Sequence, residues 1–385
     1  MAYYQSSGVR LHYVCRGPVP GNASHPVLVF QHGIGGNVGQ PARFLAPERT
    51  GIPEEGLSIV HADFRGHGQS ELGPEDELSI ATLARDLEAL LDHLRIRQAV
   101  VGGISMGAAA ALRFAIHRPD ACTALILSRP AWADSPMSLQ ARQALALVAT
   151  LLAEEDWQSS AAETLERSEI FRTIDDVCSD AARSIRGQIQ SVLSCPERRE
   201  SAIACLRRLP LARSLEDLHH DLARVRCPVL ILAAEGDPVH PFGYARRIAE
   251  CLPDCALVQI APKSAIDEAK HLQEVDRNIG DFLRSKLPSR VVTGASGRKD
   301  TSNWEKKHDP RRPIWSRMGP HQQKTVHEPD LIGGAPCLSC GSKAGMRNTC
   351  HSALEQSFSS PHALFCCRIP ALIGRTQGPV PQRQG

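Results

Sequence analysis

The sequence predicts a doubly wound, mostly parallel α/β sheet with an inserted block of helices and a C-terminal tail that lacks a core. Three observations lead there. Short continuous apolar runs alternate with amphipathic helical patterns, which is how strands buried on both faces and joined by right-handed crossovers read. One stretch, 129–226, interrupts the alternation with helical patterns alone. From about residue 291 periodicity disappears and Gly, Pro, Ser, Gln and basic residues dominate.

The strands come in order. Residues 9–14 alternate and read as an edge strand. Apolar runs at 26–30, 57–61, 99–104, 124–128, 228–233 and 256–260 read as strands with both faces covered. Among the helices, 79–94 sets Ile80, Leu83, Leu87, Leu90, Leu91 and Leu94 on one face, with Ser79 as N-cap. Residues 106–117 are small and apolar and stop before Pro119. A short helix at 244–251 ends before Pro253, and 272–287 carries Leu272, Val275, Ile279, Phe282 and Leu283 on one face. The domain reading is a core at 1–128 resumed at 227–287, a helical lid at 129–226, and a disordered tail at 288–385.

Composition narrows the function. The chain has 385 residues, 42% of them hydrophobic, and a formal net charge of +2. That balance favours neither nucleic acid nor a membrane surface as partner. From residue 291 onward, 13 basic residues face 6 acidic ones, against 31 and 36 in the remainder, so the tail differs in character from the core. The 13 cysteines follow no framework spacing and read as reduced thiols in a cytoplasmic protein. Residues 1–10 hold no apolar signal region, and no apolar run is long enough for a membrane span. Ser285-Lys286-Leu287 spells a peroxisomal address but is internal.

Gly103-Ile104-Ser105-Met106-Gly107 fits G-x-S-x-G at the junction of a strand and a helix. A serine on so tight a turn projects its hydroxyl above the sheet, and the close approach of strand and helix leaves no room for side chains at Gly103 and Gly107. Ser105 is the candidate nucleophile. The Met106 N–H, at a helix N-terminus, can stabilise a developing oxyanion.

These residues resemble the nucleophile elbow of the α/β-hydrolase superfamily, with landmarks over about 9–287. In that family a His-Gly pair after an early strand completes the oxyanion hole. His32-Gly33-Ile34 stands there, so the resemblance implies the Ile34 N–H as second donor beside Gly33. Asp63-Phe64-Arg65-Gly66-His67-Gly68-Gln69-Ser70 is similar to a loop after the next strand. His67 precedes the elbow and is read as structural, since the fold orders its triad as Ser, acid, His.

The loop Glu235-Gly236-Asp237-Pro238-Val239-His240-Pro241 resembles the family's acid loop, although Gly236 directly precedes Asp237 without the usual spacer. Asp237 is the candidate acid, with Glu235 and Asp134 as rivals. His240, three residues from Asp237, is set aside on geometry. The base should follow the last strand, which points to His271 at the start of the final helix. There Lys270 replaces the family's usual small residue.

The resemblance implies a serine hydrolase that cleaves an ester, thioester or lactone of a small to medium lipophilic substrate, with no metal or organic cofactor. An acyltransferase on the same triad and a ligand-binding receptor with little turnover are the rival readings. A zinc site at Cys337, Cys340, Cys350, His351, Cys366 and Cys367 lacks regular spacing. Lys306-Lys307 and Arg311-Arg312 read as solvated charge. Gly33 to Gly36 lacks the spacing of a dinucleotide fingerprint. Oligomeric state is open.

Overall fold

The computed structural model describes residues 2–18, 20 and 25–287. The tail at 288–385, with its cysteine and basic clusters, lies outside the described residues.

In chain order the elements are β1 (Ala2–Ser6), β2 (Val9–Arg16), β3 (Val27–Gln31), α1 (Gly39–Ala42), α2 (Pro47–Thr50), β4 (Ser58–Ala62), α3 (Ile80–His93), β5 (Ala99–Ile104), α4 (Met106–His117) and β6 (Cys122–Ser128). Then come α5 (Leu139–Ala153), α6 (Trp157–Arg167), α7 (Glu169–Val177), α8 (Ser179–Ser194), α9 (Arg199–Arg208) and α10 (Leu218–Leu222). The core resumes with β7 (Val229–Ala233), α11 (Phe242–Glu250), β8 (Cys255–Gln259) and α12 (Glu268–Lys286).

The eight strands form one sheet in the order β1-β2-β4-β3-β5-β6-β7-β8. β1 and β2 pair antiparallel, as do β2 and β4, and every other pairing is parallel. The chain order reverses around β3, so the loops leaving β3 and β5 open onto the same crevice, the usual position for a site in such sheets. Side chains alternate between two apolar layers. Val229, Ile231 and Ala233 face one, while Leu230 and Leu232 face the other. This double burial is why the strands read as unbroken apolar runs.

Two expectations need correction. The edge strand is β1, not β2, because Tyr3 to Ser6 pair with His12 to Val9. β1 was invisible in the sequence because its five residues Ala-Tyr-Tyr-Gln-Ser carry no apolar run. The last helix begins at Glu268, four residues earlier than its apolar face suggests, because Asp267 caps it by accepting a hydrogen bond from Lys270 N. Other boundaries fall close to expectation. Ser79 accepts from Thr82 N at the start of α3, and Ser138 accepts from Ala141 N at the start of α5.

The 129–226 segment holds six α-helices, two short 3-10 turns and no strand. Near its start the fully buried Trp132 donates its indole N–H to the Leu209 carbonyl at 3.1 Å, just after α9. Among the described residues no helix is long and apolar enough to cross a membrane.

Candidate active site

Ser105 sits between β5 and α4 with φ 54° and ψ −106°. A non-glycine residue held there stores on the order of 1–3 kcal/mol of strain, which the surrounding packing must over-determine. The flanking glycines supply that packing. A Cβ on Gly103 would lie 2.6 Å from the Gly107 carbonyl carbon, and one on Gly107 would lie 2.6 Å from the Gln31 carbonyl oxygen. Both positions therefore exclude any larger residue.

The Ser105 hydroxyl lies 3.0 Å from His240 Nε2, and His240 Nδ1 lies 2.9 Å from Asp237 Oδ2. A neutral imidazole protonated on Nδ1 donates to the carboxylate and accepts the serine proton at Nε2. All three residues are buried. Asp237 Oδ1 accepts the backbone N–H groups of Val239 at 2.9 Å and His240 at 3.1 Å. Arg129 also donates to Asp237 Oδ2.

Burial opposes ionisation of Asp237, but the charges and hydrogen bonds of His240 and Arg129 outweigh it and hold the carboxyl well below its usual range. His240 is pushed below its usual value by burial first, against the pull of Asp237, with Arg129 adding to the lowering. The imidazole is thus a neutral base at neutral pH.

The geometry overturns the choice of histidine. The hydrogen bond to Ser105 comes from His240, whereas His271 Nδ1 faces the Ala261 carbonyl at 3.2 Å. His271 is buried in the wall of the same cavity, in the first turn of α12. Burial, then the Lys263 charge, pushes its pKa down to about 4. His240, three residues from Asp237 on the same loop, would lie about 10 Å away along an extended chain. The chain instead turns back on itself, with Asp237 bonding the amides two and three residues on, as aspartates do in tight turns. The sequence signal that was available is the D-x-x-H-P string itself, on a loop that leaves a buried strand.

The rival acids are elsewhere. Asp134 pairs with Arg247 at 2.8 Å, and Glu235 is exposed. His67 is buried against the Arg65 carbonyl at 3.0 Å, and burial takes its pKa down to about 3. Its loop is an internal brace. Asp63 accepts from Val38 N at 2.7 Å and Gln69 N at 2.9 Å, and Arg65 makes a buried bidentate pair with Asp86.

Gly33 lies beside Ser105, where an added Cβ would stand 3.4 Å from Ser105 Cβ. The Gly33 N–H is taken by Gln40 Oε1 at 2.7 Å. Ile34 lines the cavity, and its carbonyl accepts from Gln188 of α8 at 3.1 Å. Met106 is the first residue of α4, so its N–H is one of the four that a helix leaves unpaired. The cavity over Ser105 measures about 190 Å³ and has Phe44, Leu145, Ile185, Leu272 and Val275 among its apolar walls. Arg129 and Lys263 also line it, and sequence reasoning singled out neither.

A sequence model of the alpha/beta hydrolase fold matches residues 26–267. The chain belongs to that family. The matched part of this α/β-hydrolase contains Ser105, Asp237 and His240 and ends before His271. The chain is 27% identical over 264 residues to RutD of Caulobacter sp. (strain K31), named a carbamate hydrolase; the match covers 65% of this chain and 86% of RutD. It is 25% identical over 264 residues to 3-oxoadipate enol-lactonase 2 of Acinetobacter baylyi, covering 67% and 86% of the two chains. The crystal structure of the enol-lactonase from Burkholderia xenovorans LB400 shares the fold, with TM-score 0.53 and 20% identity over 73% of this chain and 99% of that one.

Proposed function

We propose that this α/β-hydrolase cleaves an ester-type bond (ester, thioester or lactone) of a small to medium substrate through an acyl-enzyme on Ser105. The observation that carries the reading is the unbroken relay from the Ser105 hydroxyl through His240 to Asp237. His240 Nε2 takes the hydroxyl proton as Oγ attacks the carbonyl carbon, then returns it to the leaving group. Asp237 fixes the tautomer and stabilises the imidazolium. The Ile34 and Met106 amides hold the oxyanion. Water, deprotonated by the same imidazole, releases the acid.

The helices of 129–226 act as a lid. Leu145 and Ile185 contribute its apolar underside, and Gln188 and Ser191 tie α8 to the carbonyls of Ile34 and Gly35 at 3.1 and 3.3 Å. An apolar wall and a small cavity suit a compact lipophilic acyl group. The relatives' names, a carbamate hydrolase and an enol-lactonase, both describe cleavage at an acyl carbon bearing a heteroatom.

A fluorophosphonate probe tests the reading without knowledge of the substrate. The expected result is one adduct on Ser105, absent from folded Ser105→Ala. No adduct on the folded wild-type protein overturns it.

A further inference from the structure

The cavity above Ser105 is lined by four cations, Arg43, Arg129, Arg183 and Lys263, and two carboxylates, Asp180 and Glu268. Most of this charge is matched locally. Arg43 pairs with Glu268, Arg183 lies 3.8 Å from Asp180, and Arg129 pairs with Asp237 just beneath. Among the described residues, Lys263 is the lining cation that makes no ion pair. It stands on the loop between β8 and α12, partly withdrawn from solvent, and its pKa is lowered by that partial burial first and by Arg129, against the pull of the Asp180 and Glu268 carboxylates. An ammonium drawn partly out of water with no ion pair has lost solvation, and an anion beside it restores what was lost. Nearby, Arg129 Nε is buried with no hydrogen-bond partner, as is the acceptor Asp180 Oδ1 on the lining residue that also faces Arg183.

We infer that Lys263 is an anion-binding subsite, and that the substrate of Ser105 carries a carboxylate which pairs with it while the scissile carbonyl sits at the nucleophile. The inference rests on the hydrolase reading above and names its substrate class: a compact, mostly apolar ester bearing one carboxylate. One cation outside any ion pair in a cavity of about 190 Å³ matches a small monoanion. A carboxylate bound there replaces the solvation that the ammonium has lost and leaves the apolar wall to the rest of the molecule.

The test uses two matched pairs of esters. In one the charge is on the acyl side, mono-4-nitrophenyl glutarate against 4-nitrophenyl valerate. In the other it is on the alcohol side, 3-acetoxybenzoate against phenyl acetate. Wild type, Lys263→Met and Lys263→Arg are compared. The expected result is that Lys263→Met loses about tenfold or more in kcat/KM for the charged member of at least one pair, mainly through KM, while the neutral members change less than about twofold. Lys263→Arg should keep most of the preference. Equal effects on charged and neutral members of both pairs overturn the inference.

The hydrolase reading fails separately, if Ser105→Ala turns over these esters as fast as wild type or if wild type turns over none. In either case, equilibrium titration of Ser105→Ala, with and without Lys263→Met, by the four corresponding amides, glutaric acid monoanilide against valeranilide and 3-acetamidobenzoate against acetanilide, still decides whether the charge is read. Weaker binding of a charged amide alone supports the subsite, and unchanged binding of all four removes it.

Discussion

The loops that leave β7 and β8 each end near a histidine in the wall of one cavity, yet only the first brings its imidazole to Ser105. The β7 loop is wound around Asp237, whose Oδ1 bonds the Val239 and His240 amides and whose Oδ2 receives the His240 ring. The β8 loop is looser. Ser264, Ala265 and Asp267 are exposed, and the chain is already helical when it reaches His271. There the ring is held by the Ala261 carbonyl, with no carboxylate at its Nδ1. A carboxylate that both turns the backbone and meets the ring can supply acid and base from four residues. A histidine fixed to a helix can reach only what the helix axis allows.

The largest effect should come from breaking the first loop. His240→Gln removes the acceptor at Ser105, and kcat/KM for any turned-over ester should fall by roughly 10³- to 10⁶-fold, with fluorophosphonate labelling lost. A loss below tenfold would mean that another base reaches Ser105.

A smaller change sharpens the electrostatics of the same loop. The acid limb of kcat/KM should lie below the ordinary imidazole value of about 6.5, because burial and Arg129 keep His240 deprotonated. Arg129→Met removes a cation that disfavours the imidazolium and leaves the pull of Asp237 unopposed by it. The limb should therefore move to higher pH, so that activity near pH 6 falls while the plateau above pH 8 changes little. A limb that stays in place would mean that Arg129 does not act on the base. The smallest effect is expected at the second loop. His271→Gln should keep labelling at Ser105 and lose less than about tenfold in kcat/KM, as suits a wall residue whose imidazole touches the Ala261 carbonyl.

Much of this molecule was readable before folding. Strand–helix alternation is a local pattern, and β5, α4 and β7 lie within a residue of their expected bounds. The elbow was readable because G-x-S-x-G states a steric requirement, and the Gly103 and Gly107 contacts are that requirement made explicit. Asp237 could be singled out from its position on a loop after a buried strand, and the geometry joins it to Ser105 through an imidazole.

What the sequence determined by itself was therefore local: which runs are buried on both faces, where the chain must turn tightly, and which serine such a turn exposes. Tertiary structure decided the rest. It set His240 rather than His271 against Ser105, placed Arg129 on Asp237, and brought Lys263 into the cavity wall outside any ion pair. Each of these depends on loops after β6, β7 and β8 and on α8, brought together from positions far apart in the chain. Spacing along a sequence sets how far two residues can be from each other. Only the turns between them set how near they come.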